Sequence, residues 1–388
     1  MSTIRVNAIQ STSTTDGGIS IDSSGHVTLD GQSLPSAGPL SNRNLIINGA
    51  MQVAQRGTSS TSDGYQTVDR YRTAWGQVNI TQSQQTLSSG DPYNEGFRYF
   101  HRTANTATST SNITWVQIEH KIEAQNVAQS GWNYTNSNSF LTCSFWARSS
   151  VAGTYYVQYR AGDMSNFYFN RSFTLAADTW TKVSHTIPGE STFVVNNDNG
   201  SGLEVIIVPH YGTGYQGSTA TDGSWFTLSG NDYFPSSSYS QDWGNTASAT
   251  FDITGVQLEV GSVATPFEHR SYGDELARCQ RYYCLIADGN NKAIGTGGAY
   301  SAGNSWAFVH LPVEMRVAPS LDYVSGTGYY TMIGNNASDG FNNLILEGQT
   351  TSRMARVSAQ ANISLTQGLA YFMQTNNASA KVAFSAEL

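Results

Sequence analysis

Between Val205 and Trp243 the chain places eight aromatic residues, Tyr211, Tyr215, Trp225, Phe226, Tyr233, Phe234, Tyr239 and Trp243, separated largely by Gly, Ser and Thr. Rings in that company suit sugars. A pyranose offers an apolar C–H face on which a ring stacks, and a rim of hydroxyls that Asn, Asp and Ser can bind. Tyr211, Tyr215, Trp225, Tyr233, Tyr239 and Trp243 are therefore candidate glycan contacts. A competing reading stands beside this one: aromatic rings carry large buried areas and fill cores or interfaces between copies of a chain. Further on, Tyr300, Trp306, Tyr329, Tyr330 and Asn342 lie in or beside polar loops and form a second candidate surface, a receptor-binding tip.

Catalysis would need paired carboxylates, and Glu119, Glu123, Glu190, Glu204 and Asp163 are the available groups. Their spacing recommends no pair, and neither a GxSxG elbow nor a Walker A loop is present. The expectation is a protein that is not an enzyme. His120 and His269 each follow a Glu, but neither pair extends to HExxH. Asp63, Asp69, Asp163, Asp198, Asp222, Asp232 and Asp252 fall in or near expected turns without a DxDxDG loop, which favours Asx-turn chemistry and leaves a structural Ca²⁺ open. No other cofactor is expected.

The elements that must position these residues are β-strands. Charged residues are only 12% of the 388, against about 25% usually, and Gly is abundant at 37. Residues 1 to about 40 alternate in short bursts, Ile4, Val6 and Ile9, then Ile19 and Ile21, then Val27 and Leu29, separated by turn residues. So little apolar surface cannot form a core alone, so residues 1–40 read as an attachment arm. From 41 to 270, strands are expected at 44–47, 99–102, 114–122, 141–148, 154–160, 167–173, 181–187, 203–209 and 251–259, which suggests a jelly roll or β-sandwich. Leu141, Cys143, Phe145 and Ala147 alternate with Thr142, Ser144, Trp146 and Arg148, so the first set faces a core.

Residues 271–285 read as a helical hinge. The helix spans 271–284, Ser271 and Asp274 are spaced like a capping box, and Leu276, Cys279 and Tyr283 form a stripe that is a candidate trimer contact. Strands resume from 286 to 388 at 306–313, 329–333, 344–346, 353–359, 370–373 and 381–386. The fold class is thus all-β, with an arm, a jelly roll, a short helix and a second β-domain.

The net charge of −8, without a Lys/Arg block, disfavours nucleic acid as a partner. The first ten residues lack the apolar core of a signal peptide and no run is long enough to span a bilayer, so no membrane insertion is expected. Three cysteines without CxxC spacing make neither a disulfide scaffold nor a zinc site.

Several stretches carry a resemblance. MSTIRVNAIQ with GGISIDSSGHVTLDG, then NRNLIINGAMQVAQRG, then TGVQLEVGSVATPFEHRSYGDELARCQRYY from Thr254 to Tyr283, and lastly MRVAPSL and the final AFSAEL, resemble tail-fibre and minor tail structural proteins of tailed bacteriophages, especially marine and cyanobacterial ones. The resemblance implies a homotrimeric virion protein made in the host cytoplasm. Its arm would dock onto tail, nozzle or adaptor proteins. Its carbohydrate-module-like jelly roll and distal domain would attach to a host surface polysaccharide or lipopolysaccharide; the alternatives are a purely structural virion fibre or decoration protein without a receptor role, or a polysaccharide-degrading tailspike.

Overall fold

The computed structural model describes residues 8–10, 18–23, 25–29, 32–236, 241–334, 337–360 and 363–388. Strands dominate, and the chain divides into two compact units, residues 1–270 and 271–388. The expected all-β class is what the chain adopts.

The first unit is a sandwich of two six-stranded antiparallel sheets. Edge to edge, the first sheet runs Thr181–Pro188, Phe140–Ser149, Thr250–Val260, Tyr99–Ala107, Asn79–Thr86 and Ser59–Ser60. The second runs Trp225–Thr227, Phe167–Leu175, Gly153–Ala161, Ser201–Tyr211, Trp115–Glu123 and Arg72–Gly76. Inward residues of both sheets share one core, in which Leu141, Cys143, Phe145 and Ala147 meet Val157, Ile207 and Ile118. Ring pairs tighten it, as in the edge-on contact of Phe145 with Phe173 at 5.5 Å; such pairs add about 0.5–1.5 kcal/mol beyond burial.

Two of the stretches that carry the phage resemblance interlock here. Asn44 Oδ1 accepts from the amides of Ile46 and Leu258, both at 3.0 Å, and Arg43 donates to Thr265 Oγ1 at 2.9 Å while lying 3.3 Å from Glu259. Arg270 returns to the carbonyls of Asn44 and Ile46. Residues 44–47, expected as a strand, are held by these bonds outside any strand. A Cβ on Gly49 would sit 2.1 Å from the Val256 carbonyl oxygen, so only glycine allows the approach.

Four short strands, Ala8–Gln10, Gly18–Ile21, Val27–Leu29 and Gln32–Ser33, form a separate sheet of the same unit. Ile9, Ile19 and Leu29 stand opposite one another and are all exposed. His26 Nε2 lies 3.0 Å from Ser262 Oγ, tying this sheet to the loop after the last sandwich strand. Ile4 and Val6 lie outside the described residues.

Buried His101, His120 and His210 and half-buried His185 bear on acid stability, and burial holds His120 well below the usual histidine range. Burial lowers His101 and His185 to about 3, and it lowers His210 to about 4. In the unfolded chain each takes up a proton near pH 6.5. The folded state therefore loses ground as pH falls from about 6.5 towards 4, with a slope of up to about 1.4 kcal/mol per pH unit for each histidine. Urea midpoints measured across that window should fall steadily, and His101→Gln should flatten the slope; a midpoint independent of pH would contradict the assignment.

The second unit opens with the helix Tyr272–Gln280, whose N-cap Ser271 accepts from the Asp274 amide. It is shorter than the expected 271–284, because the chain enters the strand Tyr283–Asp288 almost at once. That strand pairs with Lys381–Ser385, which also pairs with Ser320–Tyr323, in a three-stranded sheet. A seven-stranded sheet shares its core. Its strands run Ala337–Phe341, Tyr330–Gly334, Ala370–Thr375, Ala293–Ser301, Asn304–His310, Met354–Gln360 and Ile345–Leu346. Leu276 is half-buried and Cys279 and Tyr283 are fully buried within one chain, with the Tyr283 hydroxyl 2.8 Å from Asp322 Oδ2. This corrects the expectation that the stripe needs other copies to cover it.

Candidate functional site

Period-two alternation gives the second sheet of the sandwich a second, outward face, and its residues are unusual. Across the strands, Tyr168, Arg160, Glu204 and Lys121 stand directly opposite one another in one row. The next row is Asn170, Gln158, Ile206, Glu119 and Arg72. A register shift between Ile207 and His210 then brings Tyr211 opposite Trp115. Gly76 stands opposite Trp115 in turn, and a Cβ there would lie 2.3 Å from the indole nitrogen, so the glycine makes room for the ring.

The loop after Tyr211 folds back over part of this face. Tyr156, Ile206, Val208, Tyr211 and Phe234 bury one another, with Trp115, Tyr215 and Tyr233 packed alongside. What stays open is a cleft of about 360 Å³, within the roughly 300–1,000 Å³ range of small-molecule sites. Trp115, Tyr168, Tyr211, Tyr215 and Tyr233 supply rings to its lining; Gln117, Glu119, Gln158, Arg160 and Glu204 supply polar groups. Tyr215 meets Tyr211 edge-on at 5.5 Å and Tyr233 at 5.9 Å, while Tyr233 meets Tyr168 at 5.8 Å.

The polar groups hold one another in place. Arg72 donates to Glu119 Oε1 at 2.9 Å, and Gln117 Nε2 donates to the same oxygen. Tyr211 Oη donates to Gln117 Oε1 at 2.8 Å. Burial pushes the Tyr211 phenol well above the usual tyrosine range, with Glu119 adding to the effect, so it works as a neutral donor. Burial also raises Tyr168, against the pull of Arg160. Glu204 lies 3.5 Å from an Arg160 terminal nitrogen and 3.9 Å from Lys121 Nζ. Gln158 Nε2 donates to Asn170 Oδ1 at 3.0 Å and to the Tyr233 carbonyl at 3.2 Å. Arg160 Nε is buried without a hydrogen-bond partner among the described residues, which leaves a donor in a residue that lines the cleft.

The sequence candidates separate into groups. Tyr211, Tyr215 and Tyr233 come together at the cleft. Trp225 does not join them: it stacks flat on Phe167 at 5.1 Å, packs edge-on against Phe193, and donates its indole N–H to the Pro188 carbonyl at 2.8 Å. Trp243 is fully buried in the sandwich core. Both are corrected from ligand contacts to packing residues, and Tyr239 lies outside the described residues. The distal candidates do not form one surface either. Tyr300 is exposed and stacks on Trp306, but Tyr330 is fully buried with its hydroxyl donating to the Val324 carbonyl, Tyr329 packs beside the second core, and Asn342 accepts from the amide of Gly328, 14 residues earlier.

Trp115, Tyr168, Gln117, Gln158 and Arg160 are cleft residues that sequence reading did not single out. Their signal was the outward set of each strand, which holds large or hydrogen-bonding side chains. The structure also brings Glu119 and Glu204 to one face, on adjacent strands at diagonal positions. Gly212 to Gly217, GTGYQG, has the glycine spacing of a dinucleotide loop after a strand, but it leads into the single 3-10 turn Thr213–Tyr215 and not a helix. The turn aspartates act as hydrogen-bond acceptors: Asp222 for Ser172, Asp232 for Thr219 and Asp163 for Asn196. Asp252 is a buried strand residue and not a turn residue. Among the described residues no group of three or more His, Cys, Asp or Glu is gathered as for a metal, and no helix is long and apolar enough to cross a membrane.

No protein-family model matches the sequence, and no curated protein matches it. Solved structures similar to parts of the chain include a cyclase from Fischerella sp. TAU in complex with an indolyl butanone, at 10% identity over 57% of this chain and 98% of that one, with a TM-score of 0.32. Another is the family 11 carbohydrate-binding module of a Clostridium thermocellum cellulosomal cellulase, at 11% identity over 53% and 95%, with a TM-score of 0.25. A third is a family 16 carbohydrate-binding module, at 12% identity over 55% and 99%, with a TM-score of 0.26.

Proposed function

We propose that this protein is a tail-fibre component of a tailed bacteriophage that attaches to its host by binding a surface polysaccharide or lipopolysaccharide glycan in the cleft of the second sheet, without cleaving it. The observation that carries the binding reading is the cleft itself: five aromatic rings line the same hollow as two glutamines, two glutamates and an arginine. Rings take the apolar face of a sugar and the fixed polar groups take its hydroxyls. The sequence stretches quoted above support the virion assignment, with residues 1–40 as the arm that docks on the tail and three copies per fibre. Low charge suits a neutral glycan partner. Each cleft would bind weakly, and several copies engaging one cell surface raise avidity by about 10²- to 10⁴-fold.

A second reading has one observation in its favour. Glu119 and Glu204 line the same cleft, and a pair of carboxylates in one cleft is what a glycosidase uses. Both already accept hydrogen bonds or sit beside cations, which fits a fixed binding floor better than a proton donor. Purified protein added to host cells before phage should block adsorption and release no reducing sugar. Unimpaired adsorption would remove the receptor role, and sugar release abolished by Glu119→Gln or Glu204→Gln would move the protein to the enzymes.

A further inference from the structure

We propose that Asp22, His26 and Ser262 form a nucleophilic triad that hydrolyses uncharged carboxylic esters, at a second site that shares no lining residue with the glycan cleft. A turn and a loop build its geometry. The strands Gly18–Ile21 and Val27–Leu29 are joined by a tight turn, in which the Asp22 amide donates to the His26 carbonyl at 3.0 Å and Gly25 takes a φ of 85°. Across that turn the Asp22 carboxylate accepts twice from one residue, from the His26 amide at 2.9 Å and from ring Nδ1 at 3.0 Å. A carboxylate can only accept, so Nδ1 carries the proton and Nε2 keeps its lone pair. His26 Nε2 in turn lies 3.0 Å from the hydroxyl of Ser262, in the loop after Thr250–Val260. The order is an orienting carboxylate, an imidazole base and a hydroxyl, each link at hydrogen-bond distance, which is how an activated serine is recognised on any fold.

The hydroxyl faces a space in which it can act. His26 and Ser262 line a hollow of about 570 Å³, whose wall includes Leu34, Pro35, Ala37 and Phe140. No Lys, Arg, Asp or Glu lines it, so it suits an uncharged ester. Ser36 Oγ accepts from the Ser262 amide at 2.8 Å and fixes the backbone of the nucleophile. Ser36 and Ala37 approach this closely because residue 261 is glycine, at a φ of 129°; a Cβ there would lie 2.7 Å from Ser36 Oγ and 3.3 Å from the Ala37 nitrogen. The Ala37 amide donates no hydrogen bond among the described residues and is the donor available to an oxyanion formed beside Ser262. In the reaction Ser262 Oγ attacks the carbonyl carbon while its proton passes to His26 Nε2; the ester C–O bond then breaks and His26 gives that proton to the leaving alcohol. Water, deprotonated by His26, attacks the acyl-serine, the acid leaves and Ser262 regains a proton. One ester and one water give one alcohol and one acid.

This assignment does not rest on the glycan reading: breaking an ester leaves glycosidic bonds intact, and failure of either claim leaves the other standing. The full chain should hydrolyse p-nitrophenyl acetate above the buffer rate. It should also take one diisopropylphosphoryl group from diisopropyl fluorophosphate, located at Ser262 by peptide mass mapping. Ser262→Ala should lose the label, and Ser262→Ala and His26→Ala should each lower turnover by about a hundredfold or more. Asp22 positions the ring and is 53% exposed, so Asp22→Asn should lower kcat by about tenfold with KM unchanged, less than the roughly 10⁴-fold effect at a buried triad carboxylate. An unlabelled Ser262 in the folded wild-type chain, or turnover by Ser262→Ala equal to that of the wild type, would overturn the proposal and leave the three residues as a tie between sheet and loop. If His26→Ala fails to fold, the label on the wild-type chain decides: phosphorylated Ser262 supports the triad and its absence rejects it.

Discussion

Asp252→Ala is expected to cost the first unit about 1.5–3 kcal/mol of unfolding stability, because it strips the one carboxylate that accepts charge-assisted hydrogen bonds from two arginines. Asp252 is fully buried in the strand Thr250–Val260. Arg102 grips it through Nε and a terminal nitrogen at 2.8 and 2.9 Å, and Arg148 through the same pair of donors at 3.0 and 2.7 Å. Arg148 also lies 4.7 Å from the centroid of the Trp180 ring, and both arginines stand near Phe100, so the aromatic patch outside the first sheet is organised around this carboxylate. Removing it leaves two partly exposed guanidiniums without their shared partner. Urea unfolding should show the loss at an unchanged m-value. Replacing all three residues by leucine should recover most of it, because it removes the unpaired charges themselves. A loss below about 1 kcal/mol for Asp252→Ala would mean that the triad is effectively solvated.

The second large effect separates core rings from cleft rings. Trp243→Ala should cost about 3–5 kcal/mol, the range for emptying a fully buried aromatic site. The carbonyls of Trp243 and Gly244 also accept from the Asn105 side chain, so the collapse would disturb a buried polar contact as well. Tyr215 is half-buried at the mouth of the cleft, and Tyr215→Ala should leave the urea midpoint nearly unchanged. Its expected effect is on affinity: losing one stacking ring weakens sugar binding by about three- to tenfold. The two variants therefore move opposite observables, although both residues were equal candidates in the sequence. If Trp243→Ala folds with native stability, or Tyr215→Ala unfolds the unit, the division of rings between core and cleft is wrong.

That division shows what could be read from the sequence and what could not. Strands with clean alternation were legible: Leu141, Cys143, Phe145 and Ala147 do line the core. Asn79–Thr86 was missed because its residues are nearly all polar; Gln82 and Ser83 are buried there only through hydrogen bonds that no local pattern announces. Ala293–Ser301 was missed because glycine reads as a turn, whereas Gly295 and Gly297 are there because the Phe308 and Trp306 carbonyls approach too closely for any Cβ. Tyr211, Tyr215 and Tyr233 are near in sequence and meet through one returning loop. Trp115, Tyr168, Glu119 and Arg160 reach the same cleft from strands as far as 96 residues from Tyr211, counting from Trp115, and only the sheet order joins them. Trp225 and Trp243 share the composition of the cleft residues but face the other way, and composition carries no direction.

The most direct test of the central claim is a calorimetric titration of the full chain with oligosaccharides cut from the host's surface polysaccharide. The wild type and the variant Tyr215→Ala, Arg160→Ala should be compared at matched folded fractions. The cleft assignment predicts saturable binding by the wild type and at least a tenfold loss in the variant. Equal affinity of wild type and cleft variant for the same sugar would place the glycan elsewhere and contradict the account.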